Sequence, residues 1–298
     1  MANNQGFLSR MLMDDALPID ASSQAFEFIS STLKRTKTFT HSNGMRGHRD
    51  RLDHRVAQTG ERVNGVLTMN PSVTEIDRLL PRMLGTAGPP ASVGPTIPQF
   101  YICQDKVETI ELFHKCVIST WSISGTSGQP LTFTFNIEGE KSDDSTVAAW
   151  PAITIDTEEM FVMSDVTITL ASGVRTFNSF TLSGDNMVDT ERQLNSLTRS
   201  EIPAQDSNIT LDLTMPQNGN TGLRGAKSPV SGEAPVVPAI TGTVVISDSV
   251  TTYTVSTGKL IALTPATEDV SAKSEIWTPL QYGLFKSGAT SQCTITKT

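Results

Sequence analysis

Met45–Gly85 reads MRGHRDRLDHRVAQTGERVNGVLTMNPSVTEIDRLLPRMLG. It passes from a basic, glycine-punctuated loop through a strand into a helix. The strand spans Arg62–Met69 and alternates toward its end. In the helix, expected over residues 71–84, Val73, Ile76, Leu79, Leu80, Met83 and Leu84 recur at the spacing of one apolar face. Its start can be written two ways. Asn70-Pro71 can serve as N-cap and first helical residue, or Ser72 and Glu75 can form a capping box. Gly85 suits a left-handed stop, and Pro81 is expected to kink or tighten the last turn. Downstream of Gly85 the pattern is strand and loop, so this helix is expected to be the one plug covering a sheet.

Composition supports that reading. Charged residues make up 18% and hydrophobic residues 37% of the 298, and Ser and Thr are abundant, which suits an all-β chain with many turns. No run of about 18 apolar residues is present, so no transmembrane helix is expected. The N-terminus lacks the charged and apolar regions of a secretory signal. Cys103, Cys116 and Cys293 fit neither a disulfide framework nor a zinc pattern, and are expected to be reduced thiols of a protein made in a cytosol.

The net charge of −8 is unevenly spread. Between Lys34 and Arg62 eight Lys/Arg face three acids, a net of +5, which leaves 15 basic and 28 acidic residues, or −13, elsewhere. A basic loop on an acidic body can pair with a neighbouring copy, be merely solvated, or contact nucleic acid. Phe39 is the only aromatic there for base stacking. The loop itself, residues 40–60, exceeds the roughly 12–15 residues usual inside compact domains.

Residues 1–25 form an N-terminal arm with an apolar patch (Phe7, Leu8, Met11, Leu12, Met13), either frayed or laid on a neighbour. Residues 26–40 look strand-like in pieces. Two strand–turn–strand units follow a Gly/Pro-rich link, one over Cys116–Glu140 and one over Asp165–Asn186, turning at Ser172-Gly173 with Phe180 and Leu182 on the return. Ile209–Thr214 alternates cleanly. Residues 215–238 are a Pro/Gly-rich link, and Gly242–Ser249, Thr252–Ser256, Lys259–Leu263, Ile276–Phe285 and Cys293–Thr296 are strand candidates. The expected fold is mainly β: two packed antiparallel sheets, a sandwich or flattened barrel, in a single domain over residues 26–298.

Catalytic chemistry finds little footing. His48 and His54 with Asp50 and Asp53 fit no usual metal-ligand spacing. No nucleophile elbow, Walker loop or dinucleotide fingerprint occurs. The adjacent pairs Asp143-Asp144 and Glu158-Glu159 would point apart in an extended chain. No enzyme activity, cofactor or metal is expected.

Three separated parts of the chain resemble phage major tail tube proteins in their family order. TKTFTHSNGMRG (36–47), the strand Val63–Met69 and NPSVTEIDRLLPRMLG resemble the opening of that family. FNSFTLSGDNMVDTERQLNSLTRSEIPAQDSNITLDLTM (177–215) is similar to the second half, and residues 276–298, with the Lys286-Ser287-Gly288 turn, to its ending. The resemblance implies a structural virion protein, made in a host bacterial cytoplasm. Six copies would close into a ring, and stacked rings would form the hollow tube through which the genome passes. Phe7, Leu8, Met11, Leu12, Arg46, Arg49, Arg51 and Arg55 would make inter-subunit contacts. Further implied partners are a tape measure protein inside the tube, a tail terminator, tail-tip or baseplate proteins and, in a contractile tail, a sheath. DNA would transit an acidic lumen without specific binding, and no membrane is involved. The competing reading is a β-sandwich binding module for glycans or receptors on a virion or cell surface.

Overall fold

A computed structural model describes residues 9–19, 23–41, 56–86, 88–107, 109–144, 160–216, 239–248, 250–263 and 277–298. The N-terminal half holds β1 (Arg10–Asp14), β2 (Gln24–Phe26), β3 (Ser30–Ser31), β4 (Lys34–His41), β5 (Val56–Met69), α1 (Val73–Leu84), β6 (Ala91–Ser92), β7 (Phe100–Asp105), β8 (Ile110–Thr126), β9 (Thr132–Gly139) and β10 (Lys141–Asp144). β11 (Val166–Leu170), β12 (Gly173–Arg175), β13 (Ser179–Asp185), β14 (Asn208–Pro216) and β15 (Ala239–Ile240) come next. β16 (Gly242–Ser247), β17 (Thr252–Thr257), β18 (Lys259–Ala262), β19 (Trp277–Phe285) and β20 (Cys293–Lys297) complete the chain.

The strands form two antiparallel sheets that share one core, as the alternation of apolar positions predicts, and among the described residues neither closes into a barrel. The larger sheet is organised on β8. The first half of β8 pairs with β7 and β10, while its second half pairs with β9 and β13. From there the sheet runs one way through β9 and β5 to β4, and the other way through β13, β14, β19 and β18 to β15. The smaller sheet has the order β12-β11-β16-β17-β20-β6.

The strand expected over Arg62–Met69 begins at Val56 and so takes in part of the expected 40–60 loop, and two further details differ. Residues 165–186 are not one hairpin: β11 turns through Ala171 and Ser172, both at positive φ, into the short β12. The chain then crosses, and β13, with Phe180 and Leu182, enters the larger sheet between β8 and β14. Alternation reports which face is buried, and both sheets supply the same apolar face, so it cannot report the partner strand. The second difference concerns β1, which lies inside the larger sheet between β7 and β2. Met11 and Met13 join the main core, whereas Leu12 packs with Ile19 and Cys103 on the other face. Three consecutive apolar residues are what burial on both faces demands.

The helix begins by the capping box. The Ser72 hydroxyl accepts from the Glu75 backbone N–H and the Glu75 carboxylate accepts from that of Ser72. It ends at Gly85, whose φ of 100° is cheap only without a Cβ. Pro81 is accommodated within the last turn. Its apolar face enters the core, and its polar groups fix where it sits. The Tyr253 hydroxyl on β17 lies 2.7 Å from the Asp77 carboxylate and 3.0 Å from the Val73 carbonyl. The Asn186 amide, just past β13, donates to Met83 O at 3.1 Å and to Ile118 O at 2.9 Å. One helix is thereby bonded to both sheets.

Asn186→Ala strips two buried carbonyls of their donor, so unfolding free energy should fall by about 1–3 kcal/mol. Urea unfolding monitored by Trp fluorescence measures it, and an unchanged midpoint would mean that the Asn186 tie is idle.

Candidate assembly surfaces

β4 and β5 build an arm that outreaches the core. Beyond Glu61 their residues are mostly exposed, and residues 42–55, including Arg46, Arg49, Arg51 and Arg55, lie outside the described residues. The same holds for His48, His54, Phe7 and Leu8. The register places Phe39 opposite Gln58 and His41 opposite Val56, after an irregularity at Thr38/Phe39. Phe39 and Val56 therefore share one face of the arm, and they remain 60% and 52% exposed. The base of the arm is pinned by Arg35, whose guanidinium donates to Ser142 O at 3.0 Å and to the Asp144 carboxylate at 3.3 Å.

The far edge of β4 pairs with no strand among the described residues, and β15 ends the same sheet on the other side. Open edges invite pairing with another chain. Lys34 and Lys37 on β4 are exposed, and lysines on an edge strand oppose indiscriminate pairing. At the opposite end, Leu263 and Phe285 are the large apolar side chains left exposed.

The excursion between β13 and β14 buttresses the arm. The Glu61 N–H donates to Leu197 O at 2.7 Å, and Arg62 pairs with Glu191. Arg199, only 2% exposed, places its guanidinium 2.6 Å from the Glu138 carboxylate on β9. Nothing in the local sequence marks Arg199 as buried, because its partner is 61 residues away. Met11 and Leu12, expected to reach a neighbour, are covered by the chain's own sheet.

Among the described residues no cluster of three or more His, Cys, Asp or Glu could hold a metal. Burial raises all three thiols, Cys103 to about 11 with a contribution from Asp105, and Cys293 to about 12. His114 lies 2.9 Å from Asp143, and burial and Lys141 lower its pKa. No helix among the described residues is long and apolar enough to cross a membrane.

Two outcomes follow. Arg199→Ala leaves Glu138 without its cation and should cost roughly 3 kcal/mol in urea unfolding. The double variant Arg199→Met/Glu138→Gln, which strands no charge, should lose clearly less, and equal losses would contradict the ion-pair argument. Native protein should also resist a chromogenic thiol reagent near neutral pH and release three thiols per chain only in denaturant, because thiolate and access are both withheld.

The comparisons with known proteins bear on these surfaces. No curated protein matches the chain. The family described as phage tail tube protein matches residues 14–227, which include the arm, the helix, β8 and the excursion. That span is well over half of the 298 residues, and the chain belongs to the phage tail tube protein family.

Proposed function

We propose that this tail component forms rings, six copies closing head to tail, which stack into the hollow tube through which a genome passes. One observation carries the reading beyond family membership: among the described residues the branched larger sheet has unlike open edges, β4 on one side and β15 on the other among them. Unlike edges make a heterologous contact, and such contacts give rings when the rotation closes. The exposed Phe39 and Val56 on the arm supply apolar area for a neighbour.

Arg46, Arg49, Arg51 and Arg55, in the segment of sequence between β4 and β5, are assigned to ring–ring contact, where their charge meets acidic patches of the next ring. Phe7 and Leu8 reach a neighbouring copy from the root that Met11 and Leu12 anchor in β1. The tape measure protein would occupy the tube, with terminator, tip or baseplate proteins at its ends, and a sheath around it in a contractile tail. DNA transits without specific binding, and the subunit is made in the host cytoplasm. A glycan-binding module would present aromatic platforms. Among the described residues Trp121, Tyr253 and Tyr282 are instead buried, and Phe39 and Phe285 are far apart in the strand order.

Electron microscopy of the purified chain at rising concentration should show rings or hollow tubes with a regular axial repeat. The variant with Arg46, Arg49, Arg51 and Arg55 changed to Glu should remain a folded species by circular dichroism yet fail to stack. Tubes of normal length from that variant would remove these four arginines from the joint.

A further inference from the structure

The arm and the excursion between β13 and β14 leave the larger sheet at the same end. β5 runs past its last partner on β9, Val63 opposite Gly139, into the arm. At that end the register passes from Glu138 opposite Val117 to Thr120 opposite Asp185 and on to Asp185 opposite Asn208. Residues 186–207 therefore start and finish beside the root of the arm. The excursion is folded back on itself. Val188 bridges Ala204, the Asp189 N–H donates to Pro203 O at 2.9 Å, and Arg192 pairs with Glu201 at 3.2 Å.

Its tip rests on the base of the arm through the bond from the Glu61 N–H to Leu197 O. Even so, Leu194 and Leu197 at the tip stay 60% and 50% exposed, as much as Phe39 and Val56 on the arm. Within one chain the two apolar sets leave each other uncovered. Grouped apolar side chains left in water mark surfaces of association. Charge divides the same two elements. Residues 186–207 hold four acids, Asp189, Glu191, Glu201 and Asp206, against Arg192 and Arg199, and Arg199 is taken up by Glu138. Residues 34–62 carry a net +5, and Lys34 and Lys37 are exposed on β4. The complement of each element, in charge and in apolar groups, is the other element.

We propose that the excursion of one copy is the docking surface for the arm of a second copy. Leu194 and Leu197 pack against Phe39 and Val56, and the acidic rim with Glu201 and Asp206 lies toward Lys34 and Lys37. The inference rests on the tube reading above and adds which surface receives the arm. Arm and excursion are different patches, so the contact is heterologous and repeats from copy to copy. Complementary charge sets its register and opposes wrong partners, while the apolar groups supply buried area.

Paired charge reversal tests the contact. Lys34→Glu/Lys37→Glu sets acids against the acidic excursion, and Glu201→Lys/Asp206→Lys sets lysines against the basic arm. Each variant alone should leave about tenfold less protein in sedimented assemblies than the parent, because like charges across an interface oppose it. An equimolar mixture of the two should recover the assemblies, since each arm then finds an excursion of opposite charge. Variants that each assemble as the parent does, or a mixture that recovers nothing, would overturn the proposal. A second measurement changes no charge. Phe39→Cys and a tagged Leu194→Cys, mixed and oxidised, should give a disulfide dimer of one tagged and one untagged chain, because the three native thiols are buried. Dimers between like chains only would also overturn the proposal. If the unsubstituted chain forms no assemblies, the tube reading itself fails, which is a separate result.

Discussion

The arrangement depends on one helix being held by its polar atoms to everything around it. The apolar face of α1 would gain about as much from burial against any apolar sheet, since the hydrophobic effect has no direction. Its orientation comes from elsewhere. Glu75 closes the capping box and also accepts from the Glu27 N–H at 2.8 Å. Asp77 takes Tyr253 from β17 and Lys297 from β20. Arg82 pairs with Asp15 beyond β1, and Asn186 reaches the penultimate carbonyl of the helix from the end of β13. A helix misplaced by one turn would break these bonds at once and leave buried polar atoms unpaired, each a cost of about 1–3 kcal/mol. The two sheets therefore meet in one way.

How far this was legible in the sequence depends on the range of each interaction. The helix was readable because its signals are local: Ser72 and Glu75 are three residues apart, and Gly85 follows the last apolar residue. Strand positions were readable from alternation, as in Ile209, Leu211 and Leu213. Partners were not. β11 and β13 both alternate and lie close in sequence, yet the chain turns at Ala171-Ser172 into β12 and crosses only after it, so that they lie in different sheets. The first half of β8, with its polar Glu111, His114 and Lys115, does not alternate in burial as the second half does. Of the assembly surfaces, the basic excess was plain, whereas the exposure of Phe39 and the burial of Arg199 both depend on residues distant in the chain.

β8 also explains how one sheet can serve two purposes. At 17 residues it is longer than its neighbours need, and its halves have different partners on one flank. Where β7 gives way to β13 the backbone shows a left-handed residue at Lys115 and register shifts toward both β7 and β9. Gly184, opposite Trp121, lies beyond that break, and a Cβ there would come within 2.3 Å of the indole. Bulky packing on the core side and short hydroxyl side chains on the other are thus set by the same strands, since alternate positions of one strand must face opposite ways.

On the proposed reading the distribution of charge resolves two conflicting demands. Copies must attract one another, while the cargo must not be gripped. A chain with cations spread evenly would meet the first demand and fail the second, because any Lys or Arg facing the cargo would replace phosphate counterions and hold it. Here the net +5 is gathered between Lys34 and Arg62, in β4, the start of β5 and the stretch of sequence that joins them. Screening reinforces the separation, for exposed charges farther apart than about 8 Å scarcely feel one another at physiological salt. Placing charge by position along the chain, rather than adjusting the total, lets a subunit of net −8 carry a basic segment for its neighbours.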